Sequence, residues 1–191
     1  IGMKWTCNIK AHIADPEMMQ KMKKAGCWSI MMGIESGSNE VLKFIKKGVT
    51  AEQMLRVGEM ADSAGIASRV SFMLGMPTDT KETIEQTINF AKKPCFHFPY
   101  FQLYIPLPGT EMFEQLKDYG DVINSDPKKR SASSVNYIPH GLTQEYILQA
   151  FKRSHKEAYL SFGKILSHFK FIRSFNDIKR YGKGLNLLFR G

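Results

Sequence analysis

Four apolar runs alternate with helical patterns along the first 120 residues, the arrangement expected of βα units built around a parallel sheet. The first run is Met3 to Lys10. Asp15-Pro16-Glu17 then offers an N-cap, a proline at the first helical position and an acid in the first turn, which predicts a helix to Ala25 that stops at Gly26. The second run, Trp28 to Gly33, leads through Ile34-Glu35-Ser36-Gly37-Ser38 into a short helix over Asn39 to Lys46, ended by Gly48. Thr50-Ala51-Glu52-Gln53 fits a capping box, and Met54, Leu55, Val57, Met60 and Ala61 follow at helical spacing as far as Gly65. The third run, Ser68 to Leu74, closes on Gly75-Met76-Pro77. Asp79 and Glu82 have the spacing of a second capping box, for a helix from Thr80 to Lys92 with Ile84, Thr87, Ile88 and Ala91 on one face. Pro94 stops it. The fourth run, Tyr100 to Ile105, ends at Pro106-Leu107-Pro108-Gly109-Thr110, and Glu111 to Tyr119 predicts another helix before Gly120.

Residues 121–142 hold Asp, Pro, Lys, Ser and Gly with little periodicity and read as a loop or linker. After Thr143 an apolar stripe of Ile147, Leu148, Phe151, Tyr159, Phe162, Ile165, Leu166 and Phe169 runs amid Lys and Arg, which predicts a helical tail over 143–191. Charge follows the same division. Residues 1–120 carry 14 Lys and Arg against 13 Asp and Glu, whereas residues 121–191 carry 13 against 5. Such a tail suits nucleic acid, anionic lipid or a phosphorylated substrate, and equally a solvated helix surface.

At 191 residues and 43% hydrophobic content the chain is long enough to bury a core. It has no apolar run of about 18 residues and no secretory pattern, so the expected compartment is the cytosol, with any membrane contact peripheral. A chain that opens at Ile1 almost directly into a strand reads as a fragment with preceding sequence missing.

In a parallel βα array the loops after the strands share one face, and ligands bind there. Those loops are Lys10-Ala11-His12, Gly33 to Ser38, Gly75 to Thr78 and Pro106 to Thr110. Glu35 stands directly after a buried strand, where it either accepts hydrogen bonds from a ligand or caps the next helix. Lys47 closes that helix and either complements its dipole or meets a ligand carboxylate. Gly37 and Gly75 allow close approach of backbone to a ligand, or serve turns. Cys7, Cys27 and Cys95 are too far apart for any familiar metal-ligand spacing and read as core thiols. None of the five histidines has ligand spacing, and the eleven methionines read mainly as packing.

In this order the motifs resemble the radical S-adenosylmethionine superfamily: Gly33-Ile34-Glu35-Ser36-Gly37-Ser38 with Val41-Leu42 and Ile45-Lys46-Lys47-Gly48, then Phe72 to Pro77 followed by Thr80 and Glu82, then Pro106 to Thr110. The resemblance covers about residues 3–120. Tyr159-Leu160-Ser161-Phe162 and Ile172-Arg173-Ser174-Phe175 look like the branch that carries an N-terminal cobalamin-binding domain. The resemblance implies an α/β fold: a partial, TIM-like (βα) barrel of about four parallel strands with outer helices over 1–120, a linker over 121–142 and a helical tail. It implies a 4Fe-4S cluster held by C-x-x-x-C-x-x-C and S-adenosylmethionine, cleaved to a 5′-deoxyadenosyl radical with electrons from an external donor. It also implies cobalamin, on a domain outside this chain. Carried over by position, Glu35 and Ser36 contact the ribose or the methionine amine, Lys47 meets the methionine carboxylate, Asn8, Lys10 and Ser71 add polar contacts, and Gly75, Met76, Pro77, Tyr104 and Ile105 border the adenine.

The sequence departs from the family pattern as well. The cluster motif and the glycine-rich acidic segment that follows it are absent, so the chain alone is expected to be inactive and to need the missing N-terminal part. Lys10 stands where arginine is expected and does not reproduce a bidentate contact, and Thr78-Asp79 replaces Gly-Glu. The expected substrate is a small molecule or a lipid. An RNA- or protein-modifying enzyme and a non-catalytic α/β binding module are the alternatives.

Overall fold

A computed structural model describes residues 2–123, 126, 128, 131–161, 163 and 164. The tail stripe at Phe162, Ile165, Leu166 and Phe169, and the Ile172 to Phe175 motif, lie outside the described residues. The four apolar runs become strands β1 (Trp5–Asn8), β2 (Cys27–Glu35), β3 (Ala67–Leu74) and β4 (Phe98–Leu103), all parallel and ordered β1-β2-β3-β4. Helices α1 (Pro16–Lys24), α2 (Asn39–Phe44), α3 (Ala51–Ser63) and α4 (Lys81–Ala91) fill the connections. Parallel neighbours need such crossovers, because a tight turn cannot return the chain to the same end of the sheet.

Helix starts follow the local chemistry. Asp15 accepts from the Met18 amide with Pro16 in the first turn, and Thr50 and Gln53 form the expected capping box. The α4 start differs from expectation: the cap is Thr80, paired reciprocally with Thr83, and Asp79 is taken by the preceding turn instead.

One face of the sheet carries the core. Ile30, Met32 and Ile34 of β2, Val70, Phe72 and Leu74 of β3, and Phe101 and Leu103 of β4 pack against Met54, Val57 and Ala61 of α3 and Ile84, Ile88 and Ala91 of α4. A buried side chain of this size contributes about 1.5–3 kcal/mol. Cys27 and Cys95 are buried, whereas Cys7 is half-buried and packs on the edge of this core. The alternate positions Asn8, Met31, Ser71 and Tyr100 project to the other face and stay half-buried or exposed.

Past β4 the chain differs from a plain linker. After α5 (Glu111–Gln115), strands β5 (Gly120–Val122) and β6 (Tyr137–Pro139) pair antiparallel. Helix α6 (Gln144–Leu160) then packs on β4 and α4, and its Ile147, Ala150 and Ala158 enter the same core. At the edge of β4, His155 of α6 accepts the Phe101 amide proton through Nε2 at 3.4 Å. Burial lowers the His155 pKa, which favours the neutral imidazole that can accept such a bond.

Candidate functional site at the carboxyl rim of the sheet

Glu35 ends β2 in a left-handed conformation, φ 71°, which non-glycine residues seldom adopt. The turn folds its carboxylate back over Gly33. A Cβ on Gly33 would stand 2.4 Å from Glu35 Oε1 and 3.4 Å from Lys47 Nζ, so glycine is the residue that leaves room for the carboxylate on the open face. Lys47 Nζ donates to Glu35 Oε1 at 3.0 Å, with the two side chains only 25% and 16% exposed. Lys47 reaches this place because Lys46 has φ 52°, and the Lys47 amide then bonds back to Leu42 O at 3.0 Å. The only two non-glycine residues with positive φ among the described residues therefore set up the same ion pair.

Glu35 Oε2 is buried and has no hydrogen-bond partner. Thr78 Oγ1, in the turn after β3, is the second such atom among the described residues. Buried acceptors and donors are normally satisfied, so two orphans in neighbouring post-strand loops point to a ligand that completes them.

The other predicted site residues divide by environment. Asn8 and Lys10 are exposed at the end of β1, and Ser71 is half-buried on the open face beside Gly33, its partner in the β2–β3 register. Ser36 turns the opposite way: it is fully buried, bonds Thr87 Oγ1 at 3.0 Å and accepts the Ser38 amide. Gly37 faces protein as well, since a Cβ there would lie 2.7–2.9 Å from Phe90, Gln86 and Thr87 of α4. Met76 and Tyr104 are 1% and 9% exposed and share a cluster with Val41, Leu116 and Tyr137. Tyr137 of β6 meets Tyr104 edge-on at 5.8 Å, so a strand the sequence pattern did not predict covers these two residues. Pro77 is buried and Ile105 half-buried.

Asp79, expected as a helix cap, instead ties down the turn after β3. Its Oδ2 accepts the amides of Gly75 and Met76 at 2.9 Å each, and Thr83 Oγ1 donates to Oδ1 at 2.8 Å. Burial pushes its pKa up to about 6, against the pull of the three donors. The only sign of this role in the sequence is an acid four residues after a glycine turn, which reads equally well as a cap. The Asp62, His97 and Ser68 side chains form a hydrogen-bonded line, but His97 and Ser68 are fully buried and His97 Nδ1 accepts the Ser68 amide, so the line braces β3 against α3.

A parallel sheet whose carboxyl edge presents a tethered carboxylate with one orphan oxygen has the form of the ligand-binding edge of α/β folds. Residues 2–91, just under half of the chain, match the family profile described as "Radical SAM superfamily", so the chain is similar to that superfamily. Members use S-adenosylmethionine and a 4Fe-4S cluster. An uncharacterized methyltransferase of Pyrococcus horikoshii is 30% identical over 97% of this chain and 40% of its own length. Bacteriochlorophyllide d C-12(1)-methyltransferase of Chlorobaculum tepidum is 29% identical over 83% of this chain and 35% of its own length. The structure of the radical S-adenosylmethionine methyltransferase TsrM from Kitasatospora setae, with cobalamin and a 4Fe-4S cluster bound, superposes with a TM-score of 0.52 at 25% identity, over 59% of this chain and 21% of that one. The chain thus spans about two fifths or less of the relatives it matches.

The rim residues fit S-adenosylmethionine. The orphan Oε2 of Glu35 would offer an acceptor to a ribose hydroxyl or an amine, with its carboxylate held by Lys47 at Oε1. Among the described residues no group of three or more His, Cys, Asp or Glu is arranged to hold a metal ion.

Proposed function

We propose that this chain is the S-adenosylmethionine-binding part of a longer radical SAM iron-sulfur enzyme that acts on a small molecule or a lipid, by radical chemistry or by methyl transfer through cobalamin. The cluster ligands and the cobalamin-binding domain belong to other parts of the complete protein, and the chain alone is inactive. Bound S-adenosylmethionine supplies the radical or the methyl group. The chain's own residues bind and orient it and keep water from the reacting end. Likeness to the bacteriochlorophyllide methyltransferase and to TsrM supports the methyl-transfer form of this reading.

The observation that carries the proposal is the buried, unpartnered Glu35 Oε2 at the carboxyl end of β2. Glu35→Ala in the complete protein is expected to weaken S-adenosylmethionine binding by about tenfold or more, as removal of a buried charged acceptor does. Calorimetric titration checks this. Unchanged affinity together with unchanged turnover would remove the assignment.

A further inference from the structure

We propose that Arg69 and Tyr100, on the open face of the sheet, select the substrate, and that this substrate carries a carboxylate on a large apolar body. The inference rests on the S-adenosylmethionine reading of the rim and names the class of substrate that would lie beside that ligand. Strands β1 to β4 contain two charged residues, Glu35 and Arg69. Parallel strands seldom carry charge, because both of their faces are normally covered. Glu35 has its counter-charge in Lys47. Arg69 has none: it is exposed, and it makes no hydrogen bond or ion pair with any described residue. A ligand that covers this face therefore has to bring the anion, or leave a guanidinium desolvated without a partner.

The strand register gives Arg69 its surroundings. It lies between Met31 of β2 and Phe98 of β4. Two residues farther along β3, about 7 Å towards the rim, Ser71 lies between Gly33 and Tyr100. Glu35 folds over that same Gly33, so Arg69 stands one step deeper on the face that holds the rim site. Tyr100 is 55% exposed, and Met31 and Met73 are half-buried on this face. An exposed ring and two thioethers make an apolar bed, and the neutral Ser71 and Gln102 bring no charge to answer the guanidinium. A guanidinium in such a place takes a carboxylate through two parallel hydrogen bonds. A phosphate monoester fits less well, because its second negative charge would stand among apolar groups without a partner.

The test uses two fluorescent probes with the same apolar body, pyrenebutyrate and pyrenebutanol, titrated into the complete, anaerobically purified protein with S-adenosylmethionine present. Wild type is expected to bind the carboxylate probe about tenfold more tightly than the alcohol, and Arg69→Met to abolish that preference while the alcohol's affinity stays within about twofold. Arg69→Lys keeps the charge without the fork and is expected to fall between the two. Tyr100→Ala is expected to weaken both probes alike, by about threefold or more. A wild-type protein that binds the two probes equally, or neither, overturns the proposal, as does an Arg69→Met loss shared by both; the guanidinium then answers an acid from elsewhere in the complete protein. Should Arg69→Met fail to fold by circular dichroism, Arg69→Gln carries the same comparison. Titration of S-adenosylmethionine alone into wild type tests the rim separately: failure there sinks the reading of the rim, whereas failure of the probe preference with that binding intact sinks only the Arg69 assignment.

Discussion

At the scale of single residues, the sequence marks where charge lies but not what each charge faces. Glu35 was legible as a candidate because an acid follows a buried strand; its left-handed backbone and its partner twelve residues on were not, since neither has a local signature. Asp79 shows the same limit. Its spacing suits a capping box, yet burial at 3% exposure turns it into the acceptor for two amides of the preceding turn. Because its pKa is 3.8 when free and about 6 in the fold, the folded chain holds that proton more tightly than the unfolded one. The stability it contributes is therefore complete below the free value and is lost as pH rises through about 6. Two pKa units correspond to on the order of 3 kcal/mol. Asp79→Asn, which keeps an acceptor for the amides, is expected to flatten this part of the stability profile in urea titrations between about pH 4 and 7. A slope identical to wild type would show that another group is responsible.

At the scale of elements, patterns of period 2 and 3.6 were sufficient to locate β1 to β4 and the helices between them, to within a few residues. The short strands β5 and β6 escaped because three residues each, separated by a Ser- and Lys-rich segment, carry no periodicity, and their pairing comes from contacts distant in sequence. Its glycine and serines make the Ser36–Gly37 turn look like a ligand loop, but it is where β2 docks on α4, with Thr87 bonding both the Ser36 hydroxyl and the Gly37 amide. The atoms that a Cβ at Gly37 would meet include helix backbone, which cannot step aside as a side-chain tip can. Gly37→Ala is accordingly expected to destabilise the fold by about 1–3 kcal/mol, read as a lower urea midpoint at unchanged m-value. The carboxyl end of α4 shows a similar long-range contact. Lys164 is fully buried and donates to Ala91 O, Lys93 O and Phe96 O, while burial lowers its pKa to about 7. A lysine placed this way satisfies carbonyls left open where a helix ends.

At the scale of the whole molecule, the rim faces one way and the core the other, an arrangement that makes the open sheet face available for a ligand. The excess of basic residues over 121–191 also suits a polynucleotide substrate, and salt separates the two readings. A protein that grips RNA through 6–10 phosphates loses about 10³–10⁵ in affinity between 50 and 200 mM salt. For a small-molecule or lipid enzyme, the KM of the complete protein is expected to change by less than about threefold over that range. A steep fall in log affinity with log salt would move the assignment to RNA modification. No helix among the described residues is long and apolar enough to cross a membrane. What the sequence alone determined was the succession of strands and helices and the identity of the acid after β2, because hydrophobic period and local capping are written in neighbouring residues. Only the tertiary structure decided that Glu35 and Lys47 form one unit over Gly33, that Ser36 and Gly37 face a helix, and that Met76 and Tyr104 lie under Tyr137. Those outcomes depend on which distant segments share a small volume and on the cost of burying a polar group there, and neither is encoded in local spacing.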